Sequence, residues 1–337
     1  MTKVSLALQG GGAHGAFTWG VLDRLLEDGR LEIAAISGTS AGALNGAALK
    51  AGLVAGGPEA ARGLLRALWE EIADIGDFRM VPWFQPFLPG LRFWQQASES
   101  FLPFSPAGVA TQLWSPYTPG IPYGNPLEPV IGRLDPALVR AAAGPALFVG
   151  ATNVRTGKVR IFHGEEVTAE ALMASACLPT AFRAVEIGGE AYWDGGYSGN
   201  PSLWPLYDRG LPDDIVIVQV NPLRREEVPE TPLEIQNRIN EISFNASLMG
   251  ELRAIAFVHR LIEAGRIEKG RMKDVRAHMI ADDALMNDLS AGSKLEPSRN
   301  LVRRLHEAGR AAAEGFLAEC AGRIGRAPTV DLPALFG

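Results

Sequence analysis

Gly38-Thr39-Ser40-Ala41-Gly42 sets a serine between two glycines where an apolar, strand-like run over residues 31–36 meets a small-residue helical pattern over 41–51. A serine on a sharp strand-to-helix turn projects its hydroxyl out of the fold, and the flanking glycines tolerate both a strained backbone and the close approach of the helix. That is how a nucleophile is presented. Gly-X-Ser-X-Gly also recurs by chance, so a plain glycine-capped turn is the alternative reading. Two further stretches bear on the choice.

The first is Gly10-Gly11-Gly12-Ala13-His14-Gly15, which follows strand-like residues 4–8 and opens a helical pattern over 16–26. Consecutive glycines leave backbone N–H groups uncovered, and the start of the next helix adds partial positive charge. Such a loop holds an anion, either a phosphate or the oxyanion that develops when a nucleophile attacks a carbonyl. Gly10-X-Gly12-X-X-Gly15 also matches a dinucleotide fingerprint, which wants an acidic residue roughly 20 residues on at the end of the second strand. Here that strand ends Ala35-Ile36-Ser37-Gly38 and runs straight into the Ser40 turn. A dinucleotide-dependent oxidoreductase is therefore a distant alternative.

The second stretch is Trp193-Asp194-Gly195-Gly196-Tyr197, after a hairpin-like segment, 184–192, with Gly188-Gly189 at its turn. An aspartate in that setting is, by itself, an ordinary turn residue. In this order, however, the glycine loop, the serine elbow and the Asp-Gly-Gly resemble the patatin-like phospholipase family of serine lipid acyl hydrolases. Met173-Ala174-Ser175-Ala176-Cys177-Leu178-Pro179-Thr180-Ala181-Phe182 is similar to the family's Ala/Ser-rich helix end stopped by a proline. The segment from about residue 221, including Glu234 to Asn245, resembles the additional C-terminal region of a bacterial subgroup.

The resemblance implies an α/β chain with a patatin-like modified α/β-hydrolase fold: a mainly parallel central sheet flanked by helices, with a mostly helical C-terminal extension. It implies a catalytic domain over 1–225 and a helical region over 226–337 packed on it. Ser40 and Asp194 are the expected catalytic dyad, without histidine, and Gly10, Gly11 and Gly12 the expected oxyanion hole. His14, Gly15, Gly38, Gly42, Gly195 and Gly196 support these motifs. His14 stands where the family usually carries Arg or Lys, which puts any role of a permanent charge there in doubt. The implied substrates are phospholipids, lysophospholipids, neutral lipid esters or other acyl esters, and the implied chemistry needs no metal or organic cofactor. Acyl transfer to an alcohol or thiol, and lipid binding without catalysis, are the alternatives.

Composition sets limits around this reading. The chain has 337 residues, 47% hydrophobic and 21% charged, enough for a large core and with no disordered bias. A net charge of −6 and the lack of a basic cluster argue against a nucleic-acid partner. Cys177 and Cys320 are too few and too scattered for a disulfide framework or a zinc site. The strand-like start leaves no room for a leader, and no apolar run reaches about 18 residues. A cytoplasmic protein that meets lipid peripherally is expected.

Residues 78–126 carry eleven aromatic residues and nine prolines, which break regular elements. Two readings stand for that segment: an aromatic satellite core or subunit interface, and a lid or acyl-chain wall beside Ser40. After Pro232, Ile235, Ile239, Ile242, Ala246, Met249, Leu252, Ile255 and Ile262 recur at helical spacing, as a core or homodimer-packing face, while Glu251 reads as surface charge. A second helix is expected over 299–318.

Overall fold

In the computed structural model of the chain, the residues described are 1–78, 116–117, 124–179, 181–289, 292–294 and 296–336. The lid, wall or interface expected of residues 78–126 thus falls almost wholly outside the described residues. Among the described residues, eight strands form one sheet: β1 Thr2–Leu8, β2 Leu31–Thr39, β3 Ala146–Asn153, β4 Val159–His163, β5 Val185–Ile187, β6 Glu190–Asp194, β7 Asp214–Val218 and β8 Arg276–Ile280. Their order is β5-β6-β3-β2-β1-β7-β8, with β4 also paired to β3. Strands β3, β2, β1, β7 and β8 run parallel, and β4 and β6 pair antiparallel with β3.

The parallel strands are buried on both faces, which is why β7 reads Asp-Ile-Val-Ile-Val without polar alternation. Its side chains nevertheless sort into two cores. Val216 and Val218 pack with Leu6, Leu8, Phe17 and Leu22 on one face. Ile215 and Ile217 pack with Ala7, Leu203, Leu248 and Leu252 on the other. Helices α1 Gly15–Asp28, α2 Ala41–Gly56, α3 Pro58–Phe78 and α6 Arg299–Glu319 contribute to the first core. Helix α5, Pro232–Glu263, covers the second, and α4, Ala169–Ser175, sits beside β3 and β5.

Close helix approach explains the small residues. A Cβ on Gly20 of α1 would lie 2.0 Å from the His306 carbonyl oxygen, and one on Gly309 of α6 would lie 2.0 Å from that of Phe17. The C-terminal part of the chain therefore notches into the N-terminal helix and also supplies β8, so it shares the sheet and both cores.

Helix α5 buries only part of the apolar stripe read in its sequence, Leu252 and Ile255 among it. Ile235, Ile239 and Ile242 are 42%, 51% and 55% exposed, whereas Glu241, Asn245, Leu248, Leu252 and Ile255 face inward. The inner face is chosen by polar partners. Arg225 pairs with both carboxylate oxygens of Glu241, and the Glu251 carboxylate, not a surface charge, accepts the Leu203 N–H at 2.9 Å. Capping is as the sequence rules demand: Thr231 and Glu234 form a reciprocal capping box at the start of α5.

Candidate active site

Sheet register brings the three sequence motifs to one edge. Leu8 pairs with Gly38, Thr39 with Gly150, and Ala151 with Asp194, so the exits of β1, β2 and β6 lie in a row at the carboxyl ends of the parallel strands. That edge is where open α/β sheets bind ligands. The glycine loop leaves β1, Ser40 leaves β2, and Asp194 ends β6.

Ser40 has φ 55° and ψ −126°, the one positive φ outside glycine among the described residues. A side chain in that region is strained, and the strain is held by partners on both sides. Its N–H donates to Ser175 Oγ at 2.9 Å, which in turn donates to the Gly150 carbonyl at 2.6 Å. Its carbonyl accepts from Ala43 and Leu44, the first turn of α2. Thr39 donates its hydroxyl to the Gly199 carbonyl at 2.7 Å, tying the elbow to the loop beyond Asp194. The Gly38 and Gly42 positions are explained by crowding. A Cβ on Gly42 would stand 2.1 Å from the Leu8 carbonyl oxygen, and one on Gly38 would stand 2.6 Å from that of Gly42.

Asp194 is 1% exposed. Its Oδ1 accepts the Gly196 N–H at 2.7 Å, its backbone N–H donates to the Cys177 carbonyl at 2.8 Å, and its own carbonyl accepts the Thr152 hydroxyl at 2.8 Å. Burial pushes the carboxyl up from 3.8 to about 6, opposed by the nearby Ser40 hydroxyl and by the hydrogen bond from the Gly196 N–H. A nearly dry carboxylate that still ionises near neutral pH, next to a hydroxyl, has the chemistry of a general base. Gly195 packs against the Gly150 carbonyl oxygen, where a Cβ would come within 2.2 Å. Gly196 lies under Phe244 of α5, whose ring meets that of Tyr197 edge-on at 5.2 Å.

The glycine loop lies directly on Ser40: a Cβ on Gly10 would be 2.6 Å from the Ser40 Cβ. Gly12 has φ 58°, a conformation glycine adopts freely, and its α-carbon faces the Lys294 carbonyl oxygen. Gly10, a sequence candidate for the oxyanion hole, has its N–H turned instead to Asn200 Oδ1 at 2.6 Å. Among the described residues no acceptor takes the N–H of Gly11 or Gly12. Those two donors stand at the head of α1, where the helix dipole adds partial positive charge.

His14 is buried behind the loop and pairs its Nε2 with Ser293 Oγ at 2.8 Å. Burial, and then the Lys294 ammonium, pull the imidazole down to about 3, so it is neutral in the physiological range. Gly15, next to it, packs against Ala41. Sequence reasoning missed Gln9, Asn200, Asn221 and Asn245, a buried amide cluster under the loop. The signal available was a polar residue, Asn245, four positions after Glu241 and three before Leu248 on one helix face.

Among the described residues no helix is long and apolar enough to cross a membrane. No curated protein matches the chain. A similar solved structure is that of VipD from Legionella pneumophila, at 16% identity and a TM-score of 0.40 over 94% of this chain and 66% of that one, just under two thirds of its length. The model of the patatin-like phospholipase family matches residues 6–207, which hold the glycine loop, the Ser40 elbow and Asp194. The chain therefore belongs to the patatin-like phospholipase family, a family of lipid acyl hydrolases.

Proposed function

We propose that the chain is a serine acyl hydrolase that cleaves carboxylic ester bonds of lipids through a Ser40-Asp194 dyad and an acyl-enzyme. The observation that carries this reading is the strained Ser40 elbow, packed against Gly10 of the glycine loop and beside a buried Asp194 whose carboxyl is raised to about 6. Ser40 Oγ attacks the ester carbonyl while Asp194 takes its proton. The N–H groups of Gly11 and Gly12 stabilise the tetrahedral oxyanion, and such donors contribute about 3–4 kcal/mol each where they have been removed. Asp194 then gives the proton to the leaving alcohol. In the second half, Asp194 takes a proton from water, the resulting attack breaks the acyl ester, and Ser40 recovers its proton. An aspartate serves as the base because burial brings its proton affinity toward the working pH; an exposed carboxylate near 3.9 would be a weak acceptor.

Gly38, Gly42, Gly195 and Gly196 shape the backbone around the dyad, and His14 and Gly15 shape the oxyanion loop. Residues 1–225 form the catalytic part in this reading, and 226–337 a mostly helical region packed on it. The lipid esters proposed are phospholipids, lysophospholipids and neutral esters, met at a lipid surface. Hydrolysis of p-nitrophenyl esters and diacyl phospholipids of graded chain length, with Ser40→Ala as control, tests the proposal. Turnover that rises with chain length and is lost in the variant supports it. Equal hydrolysis by folded Ser40→Ala removes it.

A further inference from the structure

Beneath the glycine loop, four carboxamides from separate parts of the chain converge on Gln9 and Gly10: Gln9 itself after β1, Asn200 after the Asp194 turn, Asn221 after β7, and Asn245 on α5. Asn200 accepts the Gly10 N–H at 2.6 Å and donates Nδ2 to the Gly10 carbonyl at 3.2 Å, and Asn221 Nδ2 donates to that same carbonyl at 2.8 Å. Gln9 Oε1 accepts the N–H groups of Val220 and Asn221 at 2.9 and 3.0 Å, leaving its Nε2 to donate to Asn245 Oδ1 at 2.9 Å. Asn245 Nδ2 donates to the carbonyls of Asn221 and Pro222 at 3.3 and 3.1 Å. Backbone N–H groups only donate and carbonyls only accept, so these contacts fix which way each amide points.

We propose that Asn245 is a positioning residue for the ester-cleaving site: from α5 it holds, through Gln9 and Asn221, the loop that aims the Gly11 and Gly12 N–H groups at Ser40. This rests on the function proposed above. Gln9, Asn200 and Asn221 are 0% exposed and Asn245 is 5% exposed, so each unmade bond would leave a dry polar group, and the cluster has essentially one satisfied arrangement. The same helix clasps the other wall of the site. Ser247 Oγ accepts the Asn200 N–H at 3.0 Å, and Glu251 accepts the Leu203 N–H. Asn245 is thus the inward residue of α5 that reaches the base of the glycine loop, while Leu248 and Leu252 on the same face only fill the apolar core.

A loop displaced by about 1 Å costs on the order of a hundredfold in rate without weakening substrate binding to match. Asn245→Ala is compared with Leu252→Ala, which loosens the same helix without touching the amides. The expected result is a kcat on a p-nitrophenyl ester lowered about 10- to 100-fold in Asn245→Ala, with KM within about threefold and the acid limb of kcat/KM unmoved. Leu252→Ala should lower the melting temperature by at least as much yet keep kcat within about threefold. Asn245→Asp, which keeps the acceptor for Gln9 and loses both donor bonds, gives the same split if the alanine variant does not fold. Amide hydrogen exchange at Gly10, whose N–H is held by Asn200, reads the loop without catalysis: it should quicken in Asn245→Ala and not in Leu252→Ala. If the wild-type chain cleaves no ester, the proposed function falls while exchange still decides the positioning claim. Matching kcat and matching exchange in the two variants would overturn it.

Discussion

Ser40 stands beside the carboxylate of Asp194, a residue only 1% exposed, so the charge that would drive catalysis is held where water does not reach it. Burial raises that carboxyl from 3.8 to about 6. As pH rises from about 4 to about 6, the unfolded chain loses this proton before the folded one does, so stability falls through that window and the full penalty applies above it. The interval amounts to about 3 kcal/mol at most. Asp194→Asn, which keeps an acceptor for Gly196 and removes the charge, should therefore melt higher than the wild type at about pH 8. The gain should fade toward about pH 4. Calorimetry across that range checks it, and a lower melting temperature at about pH 8 would contradict a buried, ionised Asp194.

The same value sets the pH profile. In the proposed mechanism only ionised Asp194 takes the Ser40 proton, so kcat/KM should fall on the acid side with an apparent pKa of about 6. His14 is already neutral above about 3 and faces Ser293. His14→Gln should leave the acid limb in place and keep activity within about tenfold. Disappearance of that limb in a folded His14→Gln protein would transfer the proton-accepting role to the imidazole.

Backbone crowding at the elbow gives a third expectation. A methyl at Gly42 would meet the Leu8 and Gln9 carbonyl oxygens, both at the exit of β1, at 2.1 and 2.8 Å. Gly42→Ala should cost about 1–3 kcal/mol in chemical denaturation and displace Ser40. Gly63→Ala on the exposed side of α3, where nothing lies within 4 Å, should instead stabilise by about 0.5–1 kcal/mol. Equal effects at the two positions would mean that the elbow is not packed as described.

What the sequence made legible are the places where local chain geometry and chemistry coincide. The Ser40 elbow, the glycine loop and the Gly188-Gly189 hairpin each require particular residues within a few positions, and both hairpin glycines indeed have positive φ. The inner face of α5 was hidden because hydrophobic spacing points to Ile235, Ile239 and Ile242, whereas burial follows Asn245, whose partner Gln9 lies 236 residues away. Strand β8 was hidden for the same reason: Arg276 and His278 look unsuited to a buried strand until Asp214 of β7 accepts from both. Long-range polar pairing leaves no periodic trace.

The dyad itself is tested most directly by the kinetics of Ser40→Ala, Asp194→Asn and the double variant on one long-chain ester, with folding checked by circular dichroism. Residues that act as one proton-transfer unit lose their effect together. The expected result is a fall in kcat of about three orders of magnitude or more in each single variant, with the double variant no worse than either. Near-wild-type turnover in folded Asp194→Asn, or losses that multiply in the double variant, would contradict the Ser40-Asp194 pair.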